Sequence, residues 1–156
     1  GWNEFLELLL AGFEKYSLAE LKNQYLLFGW DGNNLRSNRK LIDVLHFDSD
    51  GTPVFGAPIF KFGTGESEKT TDRFILEYQE DAEVKLNWDE DLKMIIYDHL
   101  QPKSESTKNL LYTYIPDGTY EGFKIEGGKL IYVENVFTST MTEPVYPKPL
   151  NFEKQN

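Results

Sequence analysis

The sequence predicts a mainly β fold: an antiparallel β-meander, closed as a sandwich or as an open barrel-like sheet, behind one or two N-terminal α-helices. Three observations predict it. Tight-turn signatures recur at Asp31-Gly32, Asp50-Gly51, Gly63-Thr64-Gly65, Asp89-Glu90-Asp91, Pro116-Asp117-Gly118 and Gly127-Gly128. Such residues accept positive φ or fold a side chain onto the local backbone, and they join neighbouring strands without a crossover helix. The runs between them are short and rich in aromatic and β-branched residues. Two runs alternate strictly, with Phe74, Leu76 and Tyr78 on one face, and Val84, Leu86 and Trp88 repeating the pattern.

At the N-terminus, Trp2, Phe5, Leu6, Leu9, Phe13 and Tyr16 recur mostly three or four positions apart, which predicts one face of an α-helix over residues 2–16 with Asn3 as its N-cap. Ser17-Leu18-Ala19-Glu20 reads as a capping box opening a second, shorter helix. Leu8 and Leu10 lie off the stripe and suggest burial on two sides or a homodimer contact through this helix. Strands are expected at 25–30 and 40–47, and a weaker one at 53–62, where Pro53 and Pro58 imply an edge or a bulge. Further strands are expected at 73–78, 84–88 and 92–97, the last two as a hairpin. A polar loop should cover 101–109, with strands at 112–115, 120–125 and 129–136. Residues 1–136 thus read as a single domain, the helices occupying 1–23, and 137–156 as a Pro-rich, extended tail whose prolines lack the amide a ladder needs.

The function classes narrow next. With 16 basic and 26 acidic residues the net charge is −10, which repels nucleic acid and anionic membrane surfaces. Arg36, Arg39 and Lys40 read as a solvated turn. There is no cysteine, so disulfides, thiolate catalysis and cysteine-bound zinc are excluded for these residues. No apolar run is long enough to span a bilayer as a helix, and the sequence reads as soluble. It begins at Gly1 rather than Met, which suggests a trimmed or processed product and leaves room for a lost signal peptide or lipid anchor. Nucleophile elbow, phosphate loop, zinc spacing and dinucleotide fingerprint are all missing, so no local motif assigns an activity.

Tyr25-Leu26-Leu27-Phe28-Gly29-Trp30-Asp31-Gly32-Asn33-Asn34, the run from Lys40 to Leu45, and Pro53-Val54-Phe55-Gly56-Ala57-Pro58-Ile59-Phe60 resemble an uncharacterised family of Bacteroidetes envelope proteins. Asp72-Arg73-Phe74 with Glu77-Tyr78, Met94-Ile95-Ile96-Tyr97-Asp98-His99-Leu100, and Pro116-Asp117-Gly118 before Tyr120-Glu121-Gly122-Phe123-Lys124 are similar to the same family. The resemblance runs from about Tyr25 to Val136. It implies export to the periplasm or envelope and brings no catalytic residue with it.

Candidate chemistry is sparse. Asp48-Ser49-Asp50-Gly51 opens like a calcium loop, but Thr52-Pro53 supplies neither the third oxygen nor the later glutamate, so Asp48 and Asp50 favour turn chemistry over adventitious Ca2+. The same reasoning covers Asp89-Glu90-Asp91. No cofactor is expected. Asp98-His99 is the one adjacent acid and imidazole pair, yet successive strand side chains point to opposite faces, which favours a surface histidine. His46, between Leu45 and Phe47, reads as structural and half-buried. Trp30 and Trp88 have flat rings suited to sugar stacking, although their strand positions suit core packing better. The leading expectation is a non-enzymatic module contacting a protein or a glycan, with Trp30, Asp31, Trp88, Asp98 and His99 as candidate binding residues. The alternative is a small hydrolase or carbohydrate-active enzyme using an acidic pair such as Asp31 and Asp98.

Overall fold

The computed structural model describes the backbone of residues 14–17 and all of residues 21–137. It is mainly β, built as two open sheets of mostly antiparallel strands, and no α-helix occurs among the described residues. The first sheet holds β1 (Glu14–Ser17), β2 (Tyr25–Asp31), β3 (Ser37–Phe47), β4 (Pro53–Phe55) and β7 (Phe74–Gln79). The second runs in the order β6 (Lys69–Thr71), β5 (Phe60–Phe62), β11 (Lys129–Val133), β10 (Tyr114–Glu126), β9 (Met94–Pro102), β8 (Leu86–Asp89). Among the described residues no helix is long and apolar enough to cross a membrane.

Several expectations are corrected here. Residues Glu14 to Ser17, placed in helices by spacing and by the apparent capping box, form β1 and pair with Phe28, Leu27, Leu26 and Tyr25. The open edge of β2 offers backbone partners to this segment, and pairing outweighs local helical propensity. At the end of the second expected helix, Lys22 and Asn23 take φ of 37° and 63° and are not helical. The rest of both helix expectations, with the dimer contact through Leu8 and Leu10, lies outside the described residues, as does the tail beyond Phe137. The chain is not a simple meander either. Long β3 pairs with β2 along one edge; on the other, Ser37 to Ile42 face β7 and Leu45 to Phe47 face β4. In the second sheet β5 lies parallel to β11. The weak strand expected over 53–62 is two strands in different sheets, and Gly56-Ala57-Pro58 carries the chain across.

The expected hairpins do form. β8 and β9 pair antiparallel from Leu86–Tyr97 to Asp89–Met94, and the Asp89 carboxylate accepts the amides of Asp91 and Leu92 to fold the turn. Gly127 and Gly128, at φ of 58° and 73°, join β10 to β11 with a backbone that side-chain-bearing residues resist. Pro116-Asp117-Gly118, read as a turn between two strands, is instead a bulge within β10, where the register to β9 shifts between Pro116 and Tyr120. The expected strand at 112–115 starts later, after a 3-10 turn at Leu111–Thr113, and β9 extends into the expected loop as far as Pro102.

Facing side chains of the two sheets make one core. Leu26, Phe28, Ile42 and Val44 from the first sheet meet Phe60, Leu86, Ile95, Tyr97, Phe123 and Leu130 from the second. Phe74 ties the sheets together, its ring centroid 4.7 Å from Tyr97 and 5.0 Å from Phe123. Phe60 and Phe62 also meet Phe123 edge-on, the geometry that ring quadrupoles favour.

Candidate functional site

Strand alternation divides the sheet of β8, β9 and β10 into two chemically different faces. Leu86, Trp88, Ile95, Tyr97, Glu121 and Phe123 share the face turned to the core, so Asn87, Ile96, Asp98, Tyr120 and Gly122 share the outer one. After β11, Asn135 adopts φ of 51°, and the Val136 amide donates to the Tyr120 carbonyl at 3.0 Å, which folds the chain back across the outer face of β10. Gly122 permits this crossing. A Cβ there would collide with the Ile95 carbonyl oxygen and crowd Val136, which is buried against it.

The crossing leaves a groove of about 640 Å³ on the outer face. Lys85, Asn87 and Asp89 form one wall, Ile96 lies between, and Thr119, Tyr120, Asn135 and Phe137 line the other side; Trp88 borders the groove too, although it packs against the core. Tyr120 and Phe137 stand perpendicular with centroids 5.4 Å apart, an aromatic corner that presents one ring face and one ring edge. Beneath the Lys85 end, Asp98 is 7% exposed and its Oδ2 accepts the Lys85 amide at 2.5 Å, while its own amide donates to the Lys85 carbonyl at 3.1 Å. Asp98 therefore fixes the backbone from which Lys85 projects.

A second polar cluster lies on the core-facing side, at the bulge of β10. His99 Nδ1 lies 2.7 Å from Asp117 Oδ2, and His99 Nε2 lies 3.8 Å from Glu121 Oε1. Tyr132 donates to Glu121 Oε1 at 2.6 Å. Asp117 is also clamped by the Thr119 amide at 2.9 Å and hydroxyl at 2.7 Å. Desolvation works to raise the Asp117 carboxyl, but the Thr119 donors and His99 outweigh it and hold it below its usual range. Burial, reinforced by the Glu121 carboxylate, pushes the phenols of Tyr97 and Tyr132 well above theirs, so both stay protonated donors. Among the described residues, no serine or threonine hydroxyl bonds to His99, and no three His, Asp or Glu side chains converge as metal ligands.

The sequence candidates scatter across these places. Trp88 borders the groove but packs against the core, Asp98 supports the groove from below, and His99 faces away from it. Asp98 and His99 point to opposite faces, as alternation requires, and the acid beside the imidazole is Asp117, from a bulge that looked like a plain turn. Trp30 and Asp31 end β2 in the other sheet. Trp30, assigned to the core, is 62% exposed, with its ring over Gly32. Asp31 accepts the Asn33 amide at 3.1 Å. The Asp48 carboxyl, held low first by Asp50 and then by the Thr52 amide, closes its own turn. His46 is half-buried, with Nε2 3.1 Å from the Gly56 carbonyl oxygen. Arg39 pairs with Glu77, and Arg36 lies over the Tyr112 ring.

Tyr120, Phe137, Asn87 and Asn135 were missed as groove residues. A glycine inside an otherwise strong strand, Gly122, was the available signal that something crosses there. No family model matches the chain, and no curated protein or solved structure shows significant similarity to it.

Proposed function

We propose that the protein is a non-enzymatic, β-rich module of an exported envelope protein, and that the outer groove over β8, β9 and β10 holds a glycan. The perpendicular pair of Tyr120 and Phe137 in a concave, amide-lined groove is the observation that carries this reading. Sugar rings combine flat C–H faces with hydroxyls that both donate and accept. An aromatic face flanked by the side-chain amides of Asn87 and Asn135 complements both properties. A volume of about 640 Å³ suits a small ligand, whereas a protein partner calls for a broader apolar patch. Export to the periplasm or envelope rests on the family resemblance. Glycan-array screening followed by calorimetry tests the proposal. Binding should fall at least about tenfold in Tyr120→Ala, the scale of losing one aromatic stacking contact. An array with no hit, from a protein shown to be folded, refutes it.

One observation favours a second reading, a small hydrolase. Asp117 and Glu121 flank His99, a more plausible acidic pair than Asp31 with Asp98, which lie in different sheets. Turnover of a glycoside or ester panel that vanishes in Glu121→Gln would support it over the binding role.

A further inference from the structure

Resting on the glycan reading of the groove, we infer that its ligand is an acidic saccharide, one whose hexuronic-acid carboxylate is received by Lys85. Lys85, Asn87 and Asp89 follow one another at alternate positions along the β8 wall, so this side of the groove runs from a cation through an amide to an anion. The span is about 13 Å in extended chain, room for more than one ring.

The ammonium of Lys85 is exposed and makes no ion pair among the described residues. Asp98, which neighbours Lys85 across the hairpin, is turned to the Lys85 backbone amide and makes no ion pair with its ammonium. At the other end, Asp89 Oδ1 is committed to the turn amides of Asp91 and Leu92. Its charge disfavours a second carboxylate there and thus sets the direction in which an acidic sugar lies. The remaining cation on this face of β10, Lys124, is paired with Glu126 at 3.3 Å. In a chain of net charge −10, an anionic ligand gains nothing from the general field. Recognition then depends on a local, unpaired cation beside a ring platform, and a carboxylate on the stacked ring meets that requirement through a charge-assisted hydrogen bond.

Calorimetry with oligogalacturonate and oligomannuronate, each against its carboxyl-reduced neutral counterpart, tests the inference. The acidic forms should bind about tenfold more tightly at low ionic strength, a margin that shrinks with added salt. Lys85→Gln should abolish the margin and Lys85→Arg preserve it, while Tyr120→Ala weakens acidic and neutral forms alike; thermal midpoints establish that each variant is folded. Equal affinity for acidic and neutral forms, or a margin that survives in Lys85→Gln, overturns the inference and leaves the glycan reading intact. Binding of neutral array sugars with none of uronates does the same. No binding to any saccharide overturns both.

Discussion

The Asp98 carboxylate offers the sharpest test of how the groove is built. It is 7% exposed, and its Oδ2 receives the Lys85 amide at 2.5 Å across the start of the β8–β9 hairpin. Asp98→Ala removes the acceptor and leaves that amide without its partner in a half-closed site. A hydrogen bond to a charged group contributes about 1.5–3 kcal/mol, and near-complete burial argues for the middle of that range, so the loss should be about 2 kcal/mol. For a chain of 156 residues each kcal/mol moves the thermal midpoint by about 4 °C, which predicts a fall of about 8 °C. Asp98→Asn keeps an oxygen acceptor and loses the charge, so about half that drop is expected. Differential scanning calorimetry on the parent and both variants supplies the measurement. If Asp98→Ala melts within 1 °C of the parent, a limit set at about a tenth of the expected shift, the carboxylate does not hold the hairpin and the reasoning fails.

Other outcomes follow from the same structure. Phe123→Ala, at the centre of the ring cluster, should cost about 3–5 kcal/mol in urea denaturation. Gly122→Ala should destabilise by about 1–3 kcal/mol, because the added methyl meets a backbone carbonyl that cannot step aside, and a neutral result would contradict the close crossing of Val136. Asp117 is held below its ordinary range in the folded state, so its stabilisation is complete above the unfolded aspartate value and lost as pH falls through the folded one. Urea midpoints between pH 6 and pH 2 should therefore decline less steeply in Asp117→Asn than in the parent, over an interval chosen to bracket the ordinary aspartate value of about 3.9. Tyr97 and Tyr132 are shifted upward, so their contribution is complete below the ordinary phenol value and lost at higher pH. Ultraviolet titration should show both ionising later than the exposed tyrosines, and Tyr132→Phe should remove one delayed step.

Local signals carried much of the fold. Alternation at Val84, Leu86 and Trp88 marked the residues that pack inward, and Gly127-Gly128 marked a tight hairpin. Pairing over distance was not written locally. Nothing near Phe60 announces that it lies beside Leu130, and nothing in residues 53–62 shows that the segment changes sheets. Glu14-Lys15-Tyr16-Ser17 carries a helical spacing, yet lies along β2 because a strand edge offers backbone partners that propensity ignores. The candidate site was legible in part for the same reason. Trp88 and the opposed directions of Asp98 and His99 follow from period two, whereas Asp117 reaches His99 only because a bulge re-aims it, and Phe137 reaches Tyr120 only because the chain doubles back.

The parallel union of β5 with β11 governs the order in which the polypeptide can mature. Phe60 leaves the ribosome early, and its neighbour Leu130 is among the last residues of the second sheet to be made. During synthesis, the β5–β6 pair carries the rings of Phe60 and Phe62 with its other edge unpaired until the final hairpin emerges, so long-range closure and not local turn formation should limit the folding rate. Nascent chains halted before Lys129 would thus remain adhesive intermediates, and holdase chaperones should engage them selectively.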